Sequence, residues 1–184
     1  MKRLVILLVI LLLFTSGCAS VDMVQEELSL CPQYFRDNVG DARVLPVWSA
    51  IIPLTGGPIG WLNKDGSYTL TSLAGRDVIL HEAFHSFDYR CYRQRRTEHD
   101  KFVSAWGGVP KPDLVLYLAC AAVPIIGKIP VPGHASLYGC SNGVEDAAET
   151  FVFWMRGKTR NDEKLMSKCG VIENFVKGKY SSSK

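Results

Sequence analysis

Hydrophobic and polar positions along the chain change period several times, and each change marks an element. Leu4 to Phe14 is an unbroken apolar run behind Lys2 and Arg3, closed by Thr15-Ser16-Gly17-Cys18. It is too short to cross a bilayer and has the charged start and small-residue end of a secretory leader. Arg43 to Trp48 reads as a strand whose Pro46 suits an edge. Trp61-Leu62-Asn63 and Ser67 to Thr71 flank Lys64-Asp65-Gly66, which predicts a hairpin turning at Asp-Gly. Tyr68 and Leu70 alternate with Ser67, Thr69 and Thr71, so the second strand should have one buried and one wet face, and it is the expected edge for pairing with extended substrate.

Helical spacing takes over from about Arg76 to Tyr92, with Val78, Ile79, Phe84 and Phe87 on the inward stripe. Further helices are predicted at Val21–Leu30, at Thr97–Trp106 before Gly107-Gly108, from Ser141 or Asn142 to Arg156 before Gly157, and at Asp162–Lys168. Leu114 to Ile126 is apolar apart from Pro124; a buried helix is preferred over a membrane-touching or substrate-lining loop. Lys177–Lys184, with three serines, reads as a disordered tail. The expected fold class is α+β, a short twisted sheet packed on two long helices. The expected organisation is a leader over 1–17, an anchor segment over 18–42, one domain over 43–176 and the tail.

The leader's ending resembles a bacterial lipobox, which implies that Cys18 is lipidated and becomes the mature N-terminus; ordinary secretion with an unmodified Cys18 is the alternative. Ala19 and Ser20 supply no aspartate after that cysteine, which by the same resemblance implies an outer-membrane anchor facing the periplasm of a bacterial envelope. From Cys18 onward 167 residues remain, enough for one domain with a core. They carry 19 basic and 18 acidic side chains, a balance that argues against nucleic acid as partner. Arg90, Arg93, Arg95 and Arg96 cluster locally, where they suit the negative end of a helix.

His81-Glu82-Ala83-Phe84-His85 carries the chemistry. Residues four apart share a helix face, so both imidazoles can reach one ion, and Glu82 can reach the ion's remaining position as a general base. The plainer alternative is an amphipathic helix that happens to hold two histidines. A zinc site of this kind needs a third protein ligand. Cys91 occupies the position that metzincins use, but Asp88 stands where they have the glycine that turns the chain. Glu145 is the better candidate. It shares a face with Glu149, so one carboxylate can bind metal while the other accepts the outer N–H of a ligand histidine. Asn142-x-x-Glu145 also reads as a capping box, which leaves Glu149 unexplained. Tyr138 enters the same helix with a phenol able to donate to an oxyanion; His134 is a competitor for that role, though a surface-loop histidine is the preferred reading. Asp88 is a candidate partner for a ligand histidine, or a local cap, and His99 is placed on a polar helix face.

With these motifs in order, His-Glu-x-x-His, Asp88, Tyr138, Asn142 and Glu145-x-x-Ala-Glu149 with Phe151 after it, the chain resembles the gluzincin zinc peptidases, and within them the group that includes the catalytic domain of anthrax lethal factor. The resemblance covers about Val78 to Trp154. It implies Zn2+ held by His81, His85 and Glu145, with Glu82 as base, Tyr138 stabilising the oxyanion and Glu149 behind a ligand. The roughly sixty-residue separation of the two helices departs from the pattern, so specificity is not carried over. The implied function is a lipid-anchored endopeptidase acting on a peptide or protein substrate; a non-catalytic zinc-binding lipoprotein and a peptidoglycan-directed amidase are the alternatives.

Five cysteines follow Cys18, and export to an oxidising compartment favours disulfides. If the two site helices run antiparallel, Cys91 and Cys140 come within reach. Cys31 and Cys169 then pair by elimination, and Cys120, in an apolar run, stays free.

Overall fold

The computed structural model describes residues 19–54, 58–107, 113 and 127–181, and it is α+β, with seven α-helices and a three-stranded sheet among the described residues. The predicted hairpin forms: β2 (Gly60–Leu62) runs antiparallel to β3 (Tyr68–Leu70), with Leu62 opposite Tyr68. Gly66 closes the turn at φ 82°, a conformation glycine adopts without steric cost. β1 (Ala42–Val44) is shorter than the expected strand and pairs parallel to the far side of β3, giving the order β1-β3-β2. After Pro46 the chain turns into a 3₁₀ segment, Val47–Ala50, followed by the short α3 at Ile51–Leu54.

The strand over Ser67–Thr71 is therefore central, and its assignment as the substrate-facing edge is corrected. Both of its faces are covered, so Ser67, Thr69 and Thr71 are buried alongside Tyr68 and Leu70. The Asn63 amide donates to Ser67 Oγ at 3.0 Å and to Thr69 Oγ1 at 2.9 Å, which satisfies polar groups that would otherwise oppose burial. The sheet's two edges are β1 and β2.

Two helices precede the sheet or lead into it: α1 at Val21–Ser29, capped by the Ser20 hydroxyl, and α2 at Gln33–Arg36. The long α4 spans Arg76–Gln94 and turns directly into α5, Arg96–Trp106, which ends at Gly107 with φ 91°. α6 covers Gly143–Met155, and α7 covers Glu163–Val176, eight residues beyond the predicted stop at Lys168. Residues 177–181 hold backbone hydrogen bonds, and Lys101 Nζ donates to Tyr180 O at 3.2 Å, so the tail does not begin at Lys177. The leader, Cys18, Cys120 and the run over 114–126 lie outside the described residues. Among the described residues no helix is long and apolar enough to cross a membrane.

The core is aromatic and ties the helices to one another. Phe35 of α2 lies 4.8 Å from Phe87 and 4.9 Å from Phe151, Phe84 lies 5.1 Å from Phe151, and Phe102 stacks on Phe175 at 4.0 Å. Ring pairs in this range add specific attraction to the burial of apolar area. Four of these rings sit on α4 and its partners α6 and α5, which fixes how the HExxH helix meets the second acidic helix.

A charge network centred on the buried Glu27 ties three helices together. Glu27 of α1, 1% exposed, accepts from Arg76 Nη1 at 2.6 Å and from Arg156 Nη1 at 2.9 Å, while Arg156 Nε donates to Asp77 at 2.7 Å. The start of α4 and the end of α6 are thus held by one carboxylate.

The expected disulfides are not formed. Cys31, Cys91 and Cys169 are free, buried thiols. Cys91 follows Phe84 by two helical turns and belongs to the core cluster, so it faces away from the stripe that carries His85. Cys31 donates to Glu27 O, and Cys140 Sγ donates to Ser136 O, each at 3.6 Å.

Candidate metal centre

α4 and α6 cross antiparallel at their acidic and histidine stripes, so that advancing from His81 to His85 retreats from Glu149 to Glu145. His81 Nε2 lies 2.9 Å from Glu145 Oε2, His85 Nε2 lies 3.2 Å from the same oxygen, and the two Nε2 atoms are 3.0 Å apart. These three residues form the cluster, among the described residues, whose ligand atoms lie close enough to hold one metal ion. Ligand atoms about 2.0–2.1 Å from a tetrahedral zinc stand roughly 3.3 Å apart, so small outward shifts would bring this trio to a zinc face. Oxygen and two imidazole nitrogens are also a donor set that zinc accepts.

Electrostatics favour a cation here. Burial works against a charged His81, yet its contacts with Glu145 and Glu149 outweigh that and hold its pKa well above the ordinary imidazole value. Burial likewise opposes ionisation of Glu145 and Glu149, and their histidine partners overcome it, leaving both carboxyls below their usual range. A field that keeps a proton on His81 also attracts a divalent ion in its place.

Glu149 lies against the other ring nitrogen of His81. Its Oε1 is 3.0 Å from His81 Nδ1, and because an ionised carboxylate only accepts, Nδ1 is the donor and Nε2 is turned to the cluster. The Ser136 hydroxyl hydrogen-bonds Glu149 from the other side and accepts from Gly139 N at 3.2 Å. Asn142, not Glu145, performs the capping: its Oδ1 accepts from Val144 N at 3.0 Å and Glu145 N at 2.9 Å, which frees the Glu145 side chain for the cluster.

Glu82 is 9% exposed and packs under β2, where Gly60 leaves room for it. Burial raises its pKa; the nearby His81 and His85 counter this, and Glu145 adds to it. A carboxylate with this affinity for a proton is suited to accept one and give it back. Tyr138 comes to the cluster from the loop before α6, its ring centroid 5.9 Å from that of His81. The close approach of that loop depends on Gly139, where a Cβ would lie 3.3 Å from Asp146 Cα.

Two expectations are revised. Asp88 lies beside His99, with Oδ1 and Nε2 3.3 Å apart, while the carboxylate that accepts from His81 Nδ1 is Glu149. His134 is no surface histidine: its Nδ1 lies 2.9 Å from the buried Asp146, which also accepts from Lys168 Nζ at 2.5 Å. Gly133 N donates to Asp162 at 2.7 Å, and Arg160 donates to Val131 O at 2.8 Å, so the loop leading to Tyr138 is strapped to α6 and α7. Sequence reasoning passed over Ser136, Gly60 and this strap; serine and glycine in loop stretches carry no periodicity by which to find them. Beside His85 lies a cavity of about 310 Å³ bordered by Leu62, Asp88, Tyr92, Trp106, Val144 and Ala147.

No family model, curated protein or solved structure matches the chain.

Proposed function

We propose that this chain is a zinc-dependent endopeptidase with a zincin-like domain, held by a lipid on Cys18 to the bacterial cell envelope, on the outer membrane facing the periplasm. The observation that carries the reading is the convergence of His81, His85 and Glu145 on one point, with the buried Glu82 beside them and Glu149 behind His81. A site serving stability alone would need neither Glu82 nor Tyr138.

His81, His85 and Glu145 would hold the ion, which supplies Lewis acidity, polarising a carbonyl and making water nucleophilic near neutral pH. Glu82 accepts a proton as the water oxygen bonds to the scissile carbonyl carbon, and delivers it to the amide nitrogen as the C–N bond breaks. The Tyr138 phenol donates to the carbonyl oxygen as negative charge gathers there. Substrate would lie extended along β2, the edge strand that packs on Glu82, and the cavity beside His85 would receive an apolar side chain.

The test joins metal content to turnover. Purified protein is expected to hold about one zinc per chain and to cleave members of a peptide library in a chelator-sensitive way. Glu82→Gln should keep zinc and lose cleavage, because an amide cannot accept the proton. Equal cleavage by wild type and Glu82→Gln would remove the enzyme reading and leave a zinc-binding lipoprotein.

A further inference from the structure

We infer that the face formed by Val47, Trp48 and Ile51 rests on the lipid bilayer as a second membrane contact, next to the lipid-bearing N-terminus; the inference rests on the proposed lipidation of Cys18. These side chains are 64%, 69% and 59% exposed, whereas Ser49 and Ala50 between them are buried. The 3₁₀ segment and the start of α3 therefore turn one apolar face outward and anchor through the other. The chain carries no charged residue between Arg43 and Lys64, so this surface lacks the charges that solvated segments of a protein usually carry.

What places a bilayer here is where the N-terminal chain is fastened. Ala19 N donates to Ser72 O at 2.9 Å. The same Ser72 donates through its hydroxyl to Val47 O at 3.1 Å, and its N–H donates to Ser49 Oγ at 3.0 Å. Ser72 thus joins the first described residue to the apolar face. Cys18 immediately precedes Ala19, and one residue spans at most about 3.6 Å, so a lipid carried by Cys18 would be attached close to this bridge. An exposed tryptophan is the side chain best suited to the headgroup boundary, having an apolar body and an N–H for the polar layer. Val47 and Ile51 supply the apolar flank that such a contact buries. With lipid and side chains both engaged, the domain would be held in one orientation and not left to swing on a tether.

The test uses the full chain, expressed with its own leader and reconstituted into phosphatidylethanolamine–phosphatidylglycerol vesicles with plain or brominated acyl chains. Tryptophan emission of the wild type is compared with that of Trp48→Phe, and zinc is assayed on the same samples. Bromine should quench the wild type at least twofold more than Trp48→Phe. Vesicle-bound protein with equal quenching of both would overturn the face while leaving the anchor standing. Protein that stays off the vesicles would overturn the anchor and the face together, and neither result would touch the metal reading. A Trp48 signal that follows protein concentration and not bromine would assign the face to a second copy, and would likewise overturn the inference.

Discussion

Gly60 and Glu82 are in such close contact that a Cβ on residue 60 would lie 2.7 Å from Glu82 Cγ and 3.1 Å from its Oε1. Cγ is the first atom beyond Cβ, so Glu82 could yield only by changing its rotamer, and β2 is held in place by its register with β3, Gly60 opposite Leu70. Gly60→Ala should therefore displace the Glu82 carboxylate while leaving His81, His85 and Glu145 untouched. The expected outcome is unchanged zinc content with turnover down about 100-fold, the scale of effect seen when a catalytic group is misplaced by an ångström. Steady-state kinetics beside metal analysis would check it; full activity in Gly60→Ala would show that Glu82 is not the base.

Glu149 touches the cluster through His81 and is itself held by Ser136, so in the proposed zinc site it would act on the ion through the His81 ring. Removing it as Glu149→Ala takes away the acceptor that orients the ring, and zinc affinity should fall about 10–100-fold. Glu149→Gln keeps an acceptor without the charge and should lose less. Competition with a chromogenic chelator measures both, and Cys91→Ala serves as the control expected to leave affinity unaltered, since Cys91 lies in the core cluster.

The part of the site that could be read from the residues is the part written in helical period. His81 and His85, and Glu145 and Glu149, are pairs four apart, and α4 and α6 present each pair on one face as the spacing requires. The two helices run antiparallel, but that alone does not bring Cys91 to Cys140, because proximity of helices does not say which stripe faces the partner. Cys91 lies two turns beyond Phe84 and shares its face, not that of His85. β3 departs from its alternating pattern for a related reason. Its serines and threonines look like a wet face, and only the Asn63 side chain, brought over by the hairpin, makes their burial acceptable. The pairing of β1 with β3 and the strap around His134 are long-range, joining segments whose sequences contain no mark of each other.

The Glu27 network makes a prediction about stability that is independent of the metal. Glu27→Gln leaves Arg76 and Arg156 without their shared carboxylate; both guanidiniums reach solvent, so the cost should be about 1–2 kcal/mol, below that of a fully buried pair. Denaturant unfolding should show the unfolding free energy falling by that amount. Asp77→Asn removes a contact to Arg156 from a half-exposed position and should cost less, below about 1 kcal/mol. A similar loss in both variants would mean that Glu27 is not the centre of the network.

The last expectation concerns the thiols and the sign of their pH dependence. Burial pushes Cys31 and Cys91 up to about 12, from an ordinary value of 9.0. The thiolate is the reactive form, so at pH 8 each native thiol should present roughly a 1000-fold smaller thiolate fraction than in the unfolded chain. Iodoacetamide should accordingly label both slowly in the native protein and rapidly in urea. For the linkage, the folded state binds the proton more tightly than the unfolded state. The contribution of these thiols is therefore fully present below pH 9 and is lost as pH rises from there to about 12. Unfolding midpoints taken across that window should decline, and Cys31→Ala and Cys91→Ala should each flatten the decline. Peptide mapping without reduction completes the check: recovery of a Cys31–Cys169 or Cys91–Cys140 bridge would contradict this and restore the pairing that export alone suggests.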